Sequence, residues 1–230
     1  MRAVICGANG AMGKLSDGIL GDAVVGRVSI DGENGVPETF AEMGNVNADM
    51  DIDFSHHTAV ADVSTVPVIL YNVPGRTGCN LQPKTVARLA EHPNIVAIKE
   101  AAGNMAQAVE LFALCGDKID IYSGEDALTV PMMAMGGSGA ISVLSNVVPK
   151  GAVEMSDAAL RGDFETAAKL QCKFLPLINA LFSEVNPIPA KAAVSAMGFG
   201  ADILRLPLTP MEDGTRAKLY EEMRKLGIEV

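Results

Sequence analysis

Ile95-Val96-Ala97-Ile98-Lys99-Glu100 is a short apolar run that ends abruptly in charge. A helix is predicted before it, over Pro83 to Ala90, and another after it, over Met105 to Leu114; Pro83 suits a first helical position. A strand apolar at successive positions is one covered on both faces, as in a parallel sheet. The pattern recurs at Ala3 to Cys6, Val24 to Ile30, Met50 to Phe54, Val68 to Tyr71, Ile119 to Ser123 and Ala140 to Val143. Strands alternating with helices mark an α/β chain built of parallel βα units.

After about Val147 the pattern becomes helical only. Between Phe164 and Phe182, the apolar residues Ala167, Leu170, Phe174, Leu177 and Leu181 recur at spacings of three and four, one buried stripe. Pro176 inside this stretch predicts a kink. Asn186-Pro187-Ile188-Pro189 reads as a turn, and Leu206 to Pro210 as a linker before a last helix, Asp213 to Leu226.

The chain has 230 residues, enough for one large domain or two small ones. Its net charge of −10, with 18 basic against 28 acidic side chains and no basic cluster, excludes non-specific binding to nucleic acid or anionic membranes. Residues 1–66 hold three basic and ten acidic residues, so most of that charge sits in the first third, an asymmetry that can mark a join. Cys6, Cys79, Cys115 and Cys172 lie far apart without CxxC spacing, which predicts buried thiols in a reducing, cytoplasmic setting and neither zinc nor disulfides. The uncharged interval Ala127 to Pro149 is long enough to span a membrane. Pro131 and the run Gly136-Gly137-Ser138-Gly139 break it into a short helix, a glycine loop and a strand.

The chemistry gathers at strand ends. In a parallel sheet the carboxyl ends of the strands form the ligand face. Val68 to Tyr71 runs through Asn72 and Val73 into Pro74-Gly75-Arg76-Thr77, so Tyr71 and Arg76 belong to that face, as does Lys99. A strand-end lysine whose amine is partly withdrawn from water becomes a nucleophile toward carbonyls. A phenol on the neighbouring strand can carry the protons of imine formation, and an arginine can hold a carboxylate by two hydrogen bonds.

From about residue 66 onward the chain resembles the C-terminal part of dihydrodipicolinate synthase, in the N-acetylneuraminate lyase superfamily. The resemblance rests on YNVPGRT (Tyr71 to Thr77), IKEAAGN (Ile98 to Asn104), YSGED (Tyr122 to Asp126), GGSGAISVLSN (Gly136 to Asn146), NPIPAK (Asn186 to Lys191) and LRLPLTP (Leu204 to Pro210). It implies a (βα) barrel enzyme of lysine biosynthesis that condenses pyruvate with L-aspartate semialdehyde and requires no cofactor. It also implies that Lys99 forms the Schiff base, Tyr71 relays protons, Arg76 binds the aldehyde's carboxylate and Ile141 lines the pyruvate pocket. Glu125, Asp126 and Asn146 take structural roles. The family's GTTGE motif does not occur, and Tyr122 and Tyr220 do not match its further tyrosine, so imine formation is expected from this chain and full turnover is expected to be impaired.

A second pattern lies at the other end. Gly7-Ala8-Asn9-Gly10-Ala11-Met12-Gly13 follows the first strand and opens a helix, where glycines and free amides can cradle a pyrophosphate; Asp31 is placed to accept from a ribose hydroxyl. No Lys or Arg occurs between Val28 and Gly75, which favours NAD(H) over NADP(H). With Ile52-Asp53-Phe54-Ser55-His56, this loop resembles the N-terminal part of dihydrodipicolinate reductase up to about Ser64. His56-His57 reads as a loop at a helix start.

Together these readings predict a chimera with three parts: a Rossmann-like half-domain over 1–66, a half (βα) barrel over 67–147 and a helical region over 148–230. One parallel sheet of about seven strands is expected, with the second strand at an edge, then the first, third and fourth; whether it closes into a barrel stays open. Exposed edges favour a homo-oligomer. Two alternatives to the synthase reading remain: a nucleotide-binding module, and a folded inactive fusion.

Overall fold

The computed structural model describes residues 66–230, together with strands at 3–6, 24–28 and 50–53. The glycine loop Gly7 to Gly13, Asp31 and His56-His57 lie outside the described residues. By compactness the chain divides into two units, Met1–Val68 with Glu91–Val96, and Ile69–Ala90 with Ala97–Val230.

Seven strands are described, and they are not continuous. β1 (Ala3–Cys6), β2 (Val24–Val28) and β3 (Met50–Asp53) form a parallel sheet in the order β2-β1-β3. β4 (Val68–Asn72), β5 (Ile95–Glu100), β6 (Asp120–Ser123) and β7 (Gly139–Ala140) form a second sheet in simple sequential order. The expected single seven-stranded sheet is thus corrected: β4 pairs with β5 and belongs to a four-stranded sheet. An unbroken βα rhythm sets the order of elements, but sheet membership is decided by which edges exchange backbone hydrogen bonds.

In the second sheet, β5 and β6 align Ala97 with Asp120, Ile98 with Ile121, Lys99 with Tyr122 and Glu100 with Ser123. Ile98 and Ile121 are almost fully buried, as the near-continuous apolar runs require. β7 is shorter than expected. Ile141 N–H adds one further bond to Ser123 O at 2.8 Å, after which the amides of Val143 and Leu144 turn away to the Asp126 carboxylate at 2.9 and 2.8 Å. A local carboxylate has outcompeted the ladder.

Helices α1 (Pro83–Leu89) and α2 (Met105–Cys115) fall where the periodicity places them. Asn104 caps α2, its side chain accepting from Ala106 and Gln107 N–H, which replaces partners a helix start lacks. α3 (Thr129–Ala134) is the short helix expected in the uncharged interval. α4 (Pro149–Leu160), α5 (Phe164–Leu181), α6 (Ile188–Ala196) and α7 (Asp213–Lys225) complete the helical C-terminal region. The stripe read from sequence is the buried face of α5: Ala167, Phe174, Leu177 and Leu181 are buried, Ile178 joins them, and Leu170 packs at the margin. Each large apolar side chain so buried stabilises the fold by about 1.5–3 kcal/mol. α5 runs on through Pro176 to Leu181, at the cost of one intrahelical bond. Gly151 lets α4 approach it: a β-carbon there would collide with the Phe174 ring.

Among the described residues, no helix is long and apolar enough to cross a membrane, and no cluster of His, Cys, Asp and Glu could hold a metal ion. The expectation of uniformly buried thiols is corrected: Cys79 and Cys172 are exposed. Cys115 is buried, donates to Leu111 O and has its thiol pKa pushed up by desolvation.

Candidate active site

Four side chains singled out in the sequence come from the carboxyl ends of strands or the loops beyond them, within the second unit. Tyr71 is the penultimate residue of β4, Lys99 the penultimate residue of β5, and Ile141 follows β7 directly. Arg76 sits in the helical turn Pro74–Thr77, which Gly78 ends with φ of 69°, a left-handed geometry that glycine adopts without strain.

Lys99 Nζ lies 4.3 Å from the centroid of the Tyr71 ring. The ammonium therefore rests over a π face, an attraction worth about 0.5–1 kcal/mol at an exposed position. Tyr71 remains half exposed, and Lys99 is half-buried. Behind the lysine stands Gly124, in the turn after β6: a β-carbon there would come 2.8 Å from both Cγ and Cε of Lys99 and 2.8 Å from Cβ of Ala101. Lys99 is thus held between an aromatic ring and a bare backbone. Gly124 is fixed in turn by its N–H, which donates to Glu100 O at 2.7 Å.

Arg76 is exposed, and its Nη1 donates to Asn186 O at 3.3 Å, joining the turn after β4 to the segment leading into α6. Ile141 is exposed at the end of β7. Beneath these groups lies a polar layer. Asn72 and Glu100, which follow Tyr71 and Lys99 on their strands, are 1% and 4% exposed and bonded to one another, Asn72 Nδ2 donating to Glu100 Oε2 at 2.9 Å.

The YSGED segment is structural in a specific way. Ser123 Oγ donates to Glu125 O at 2.8 Å and closes the turn. Burial pushes the Glu125 carboxyl above its usual pKa, partly opposed by the Ala127 N–H. Asp126 holds the Val143 and Leu144 amides, and Gln171 of α5 donates to Asp126 O at 2.9 Å while accepting from Val130 N at 3.2 Å. Asn146 Nδ2 donates to Val143 O at 3.0 Å. These bonds tie the loop bearing Ile141 to the helical region.

Lys99 and Tyr71 stand at the carboxyl edge of this parallel sheet, with Arg76 in the turn beyond it. The family model described as the dihydrodipicolinate synthetase family matches residues 49–226. The chain belongs to the dihydrodipicolinate synthetase family. A 4-hydroxy-tetrahydrodipicolinate synthase of Geobacter sulfurreducens is 55% identical over 170 residues, which cover 74% of this chain and 59% of that protein. A synthase of the same name from Pelobacter propionicus is 50% identical over 175 residues, 76% of this chain and 60% of that one. The chain thus spans about 60% of the length of these curated relatives. Among solved structures, the dihydrodipicolinate synthase of Aquifex aeolicus matches with a TM-score of 0.75 and 28% identity over 100% of this chain and 88% of that one. The chloride-inhibited dihydrodipicolinate synthase of Acinetobacter baumannii, complexed with pyruvate, matches with a TM-score of 0.74 and 30% identity over 99% and 88%.

These findings overturn the reductase assignment. The family match begins at residue 49, inside the segment given to dihydrodipicolinate reductase, and synthase structures match essentially the whole chain. The chimera and its Rossmann-like half go with it, and nothing supports NAD(H) at Gly7, Ala8, Asn9, Gly10, Ala11, Met12, Gly13 and Asp31. A glycine-rich turn from strand to helix is a general device of parallel βα units, because only glycine makes the tight turn freely. By itself it does not separate a dinucleotide site from a barrel unit.

Sequence reasoning placed Lys99, Tyr71 and Arg76 at one sheet edge and named Ile141 only through the family resemblance, but missed Gly124, Asn72 and Glu100. The signal was available: each polar member of the hidden layer directly follows a site residue, and side chains alternate faces along a strand.

Proposed function

We propose that this chain carries the pyruvate site of a 4-hydroxy-tetrahydrodipicolinate synthase, a Schiff-base lyase acting on pyruvate and L-aspartate semialdehyde. The observation that carries this reading is the contact of Lys99 with Tyr71 at the carboxyl edge of a family-matched parallel sheet. Residues 67–147 bear the chemistry, as one part of a (βα) barrel, and residues 148–230 brace it.

Lys99, once its ammonium has given up a proton, adds as the neutral amine to C2 of pyruvate, and a proton passes from nitrogen to the former carbonyl oxygen. The resulting carbinolamine loses its hydroxyl as water, with a proton supplied through the Tyr71 phenol, and leaves the imine. Loss of a proton from C3 gives an enamine, whose C3 attacks the aldehyde carbon of the second substrate as its oxygen takes up a proton; that substrate's own amine then adds to the regenerated imine carbon and expels the Lys99 amine, freeing the enzyme. Arg76, held at one corner by Asn186 O, keeps further donors for that substrate's carboxylate. Ile141 walls the pyruvate methyl group. The lysine amine and proton carriers supply all of this chemistry, so no cofactor enters.

Borohydride trapping tests the reading. Incubation with pyruvate and borohydride should reduce the imine to a stable secondary amine, found by peptide mapping on Lys99 and absent in Lys99→Arg. An unmodified Lys99 under saturating pyruvate sinks the proposal. Product formation on adding aspartate semialdehyde separates the whole reaction from its first half.

A further inference from the structure

The Lys99–Tyr71 pair has a mirror image on the opposite face of the same two strands. Asn72 and Glu100 each follow a site residue by one position, so they project to the other side of the sheet. There Asn72 Nδ2 donates to both oxygens of Glu100, at 2.9 and 3.3 Å. The Ala102 N–H donates to Glu100 Oε1 at 2.6 Å, and the adjacent ladder bond runs from Ala101 N to Asn72 O at 2.8 Å. Asn72 Oδ1 accepts from Leu81 N at 2.9 Å, which anchors the loop following the Arg76 turn. Asn72 Nδ2 also reaches Asn80 Oδ1 at 3.0 Å, and Asn80 exchanges a reciprocal amide pair with Gln107 of α2.

We infer that the buried Asn72–Glu100 hydrogen bond is a positioning device: it sets the spacing of β4 and β5 that brings Tyr71 against Lys99. This rests on the reading of Lys99 as the imine-forming lysine. Two buried polar side chains are an expensive way to join two strands, since an apolar pair would avoid the desolvation of a carboxylate. What polar groups add is a unique register: a one-residue slip of either strand leaves a carboxylate buried against no donor and carries Tyr71 or Lys99 to the wrong face. Glu100 and Asn72 touch none of the reacting atoms; they act through their neighbours.

The donor pattern dictates the test. Glu100 uses both oxygens as acceptors, one for Ala102 and one for Asn72. In Glu100→Gln one of these becomes an NH₂ facing another donor, and Asn72 cannot turn to help because its oxygen is held by Leu81 N–H. The reversed pair Asn72→Asp with Glu100→Gln restores the bond with its direction inverted: the new carboxylate accepts from Leu81 and from the glutamine amide, whose oxygen keeps Ala102. Asn80 is exposed and turns its amide to match.

Adduct formation with pyruvate and borohydride is timed in all variants, after their thermal unfolding is recorded. Glu100→Gln should slow the rate at saturating pyruvate about tenfold while leaving the half-saturating concentration nearly unchanged, as displacement of a reacting group by a fraction of an ångström does. The reversed pair should recover to within about threefold of the parent. A reversed pair as slow as Glu100→Gln overturns the inference, as does a single variant that reacts at the parental rate. If Glu100→Gln does not fold, the reversed pair alone decides against the parent. If the parent forms no adduct, the lysine reading fails separately, and the rate of trace acetylation of Lys99 by acetic anhydride at one fixed pH decides the positioning role, with exposed Lys84 as reference. The Lys99 to Lys84 rate ratio should change in Glu100→Gln and return in the reversed pair; identical ratios in all three overturn the inference.

Discussion

The side chain of Lys99 runs so close to Gly124 that a β-carbon on the glycine would lie 2.8 Å from both Cγ and Cε. The lysine is thereby pressed toward Tyr71, whose ring centroid is 4.3 Å from its amine. Gly124→Ala should displace Lys99, because the same methyl also meets Ala101 and has nowhere else to go. Borohydride trapping should slow about tenfold or more. The fold should lose about 1–3 kcal/mol for overpacking, measured by urea unfolding.

Tyr71 offers two separable properties, a π face and a phenol. Tyr71→Phe keeps the face over which the amine rests and removes the proton carrier. Imine formation should fall by about 10²-fold or more, with stability unchanged because the side chain is half exposed. Tyr71→Leu should be slower still, having lost the ring as well. Rapid quench of the trapping reaction measures both.

Glu125 links pH to stability. Burial raises its carboxyl pKa in the folded state above that of the unfolded chain. The folded protein therefore binds more protons through the window between the two values, and stability falls as pH rises through it. The contribution is fully present below the unfolded pKa and lost above the folded one. Glu125→Gln should flatten that decline, seen as a urea midpoint less dependent on pH just above the ordinary glutamate range.

Gln171 of α5 satisfies two buried backbone groups at once, Asp126 O and Val130 N. Gln171→Ala leaves both without their partner, at about 1–3 kcal/mol for each unsatisfied group. Urea unfolding should register the loss. Hydrogen exchange should show earlier opening of the Val143 and Leu144 amides, which hang from Asp126.

The βα order, the buried stripe of α5 and the ends of most described elements were legible because each follows from local periodicity. Tyr71, Arg76 and Lys99 could be placed at one sheet edge for a related reason: parallel strands collect their carboxyl ends on one face, whereas Ile141 came only from the family resemblance. Two readings failed where the decisive interaction was not local. The single sheet was wrong because an unbroken rhythm does not choose which edges pair. The glycine loop was given to a reductase because its residue pattern suits many βα units equally.

The sequence by itself determined that the chain is α/β, that its last third is helical, and that a lysine and a phenol stand at strand ends with a guanidinium in the turn beyond one of them. Only the tertiary structure decided that the lysine is wedged between Tyr71 and Gly124, and that Asn72 meets Glu100 beneath them. Periodicity specifies the face a side chain takes; its partner comes from another strand, 28 residues away in the case of Asn72 and Glu100. Such pairings exist only once the chain has paid the entropy of bringing its distant segments together.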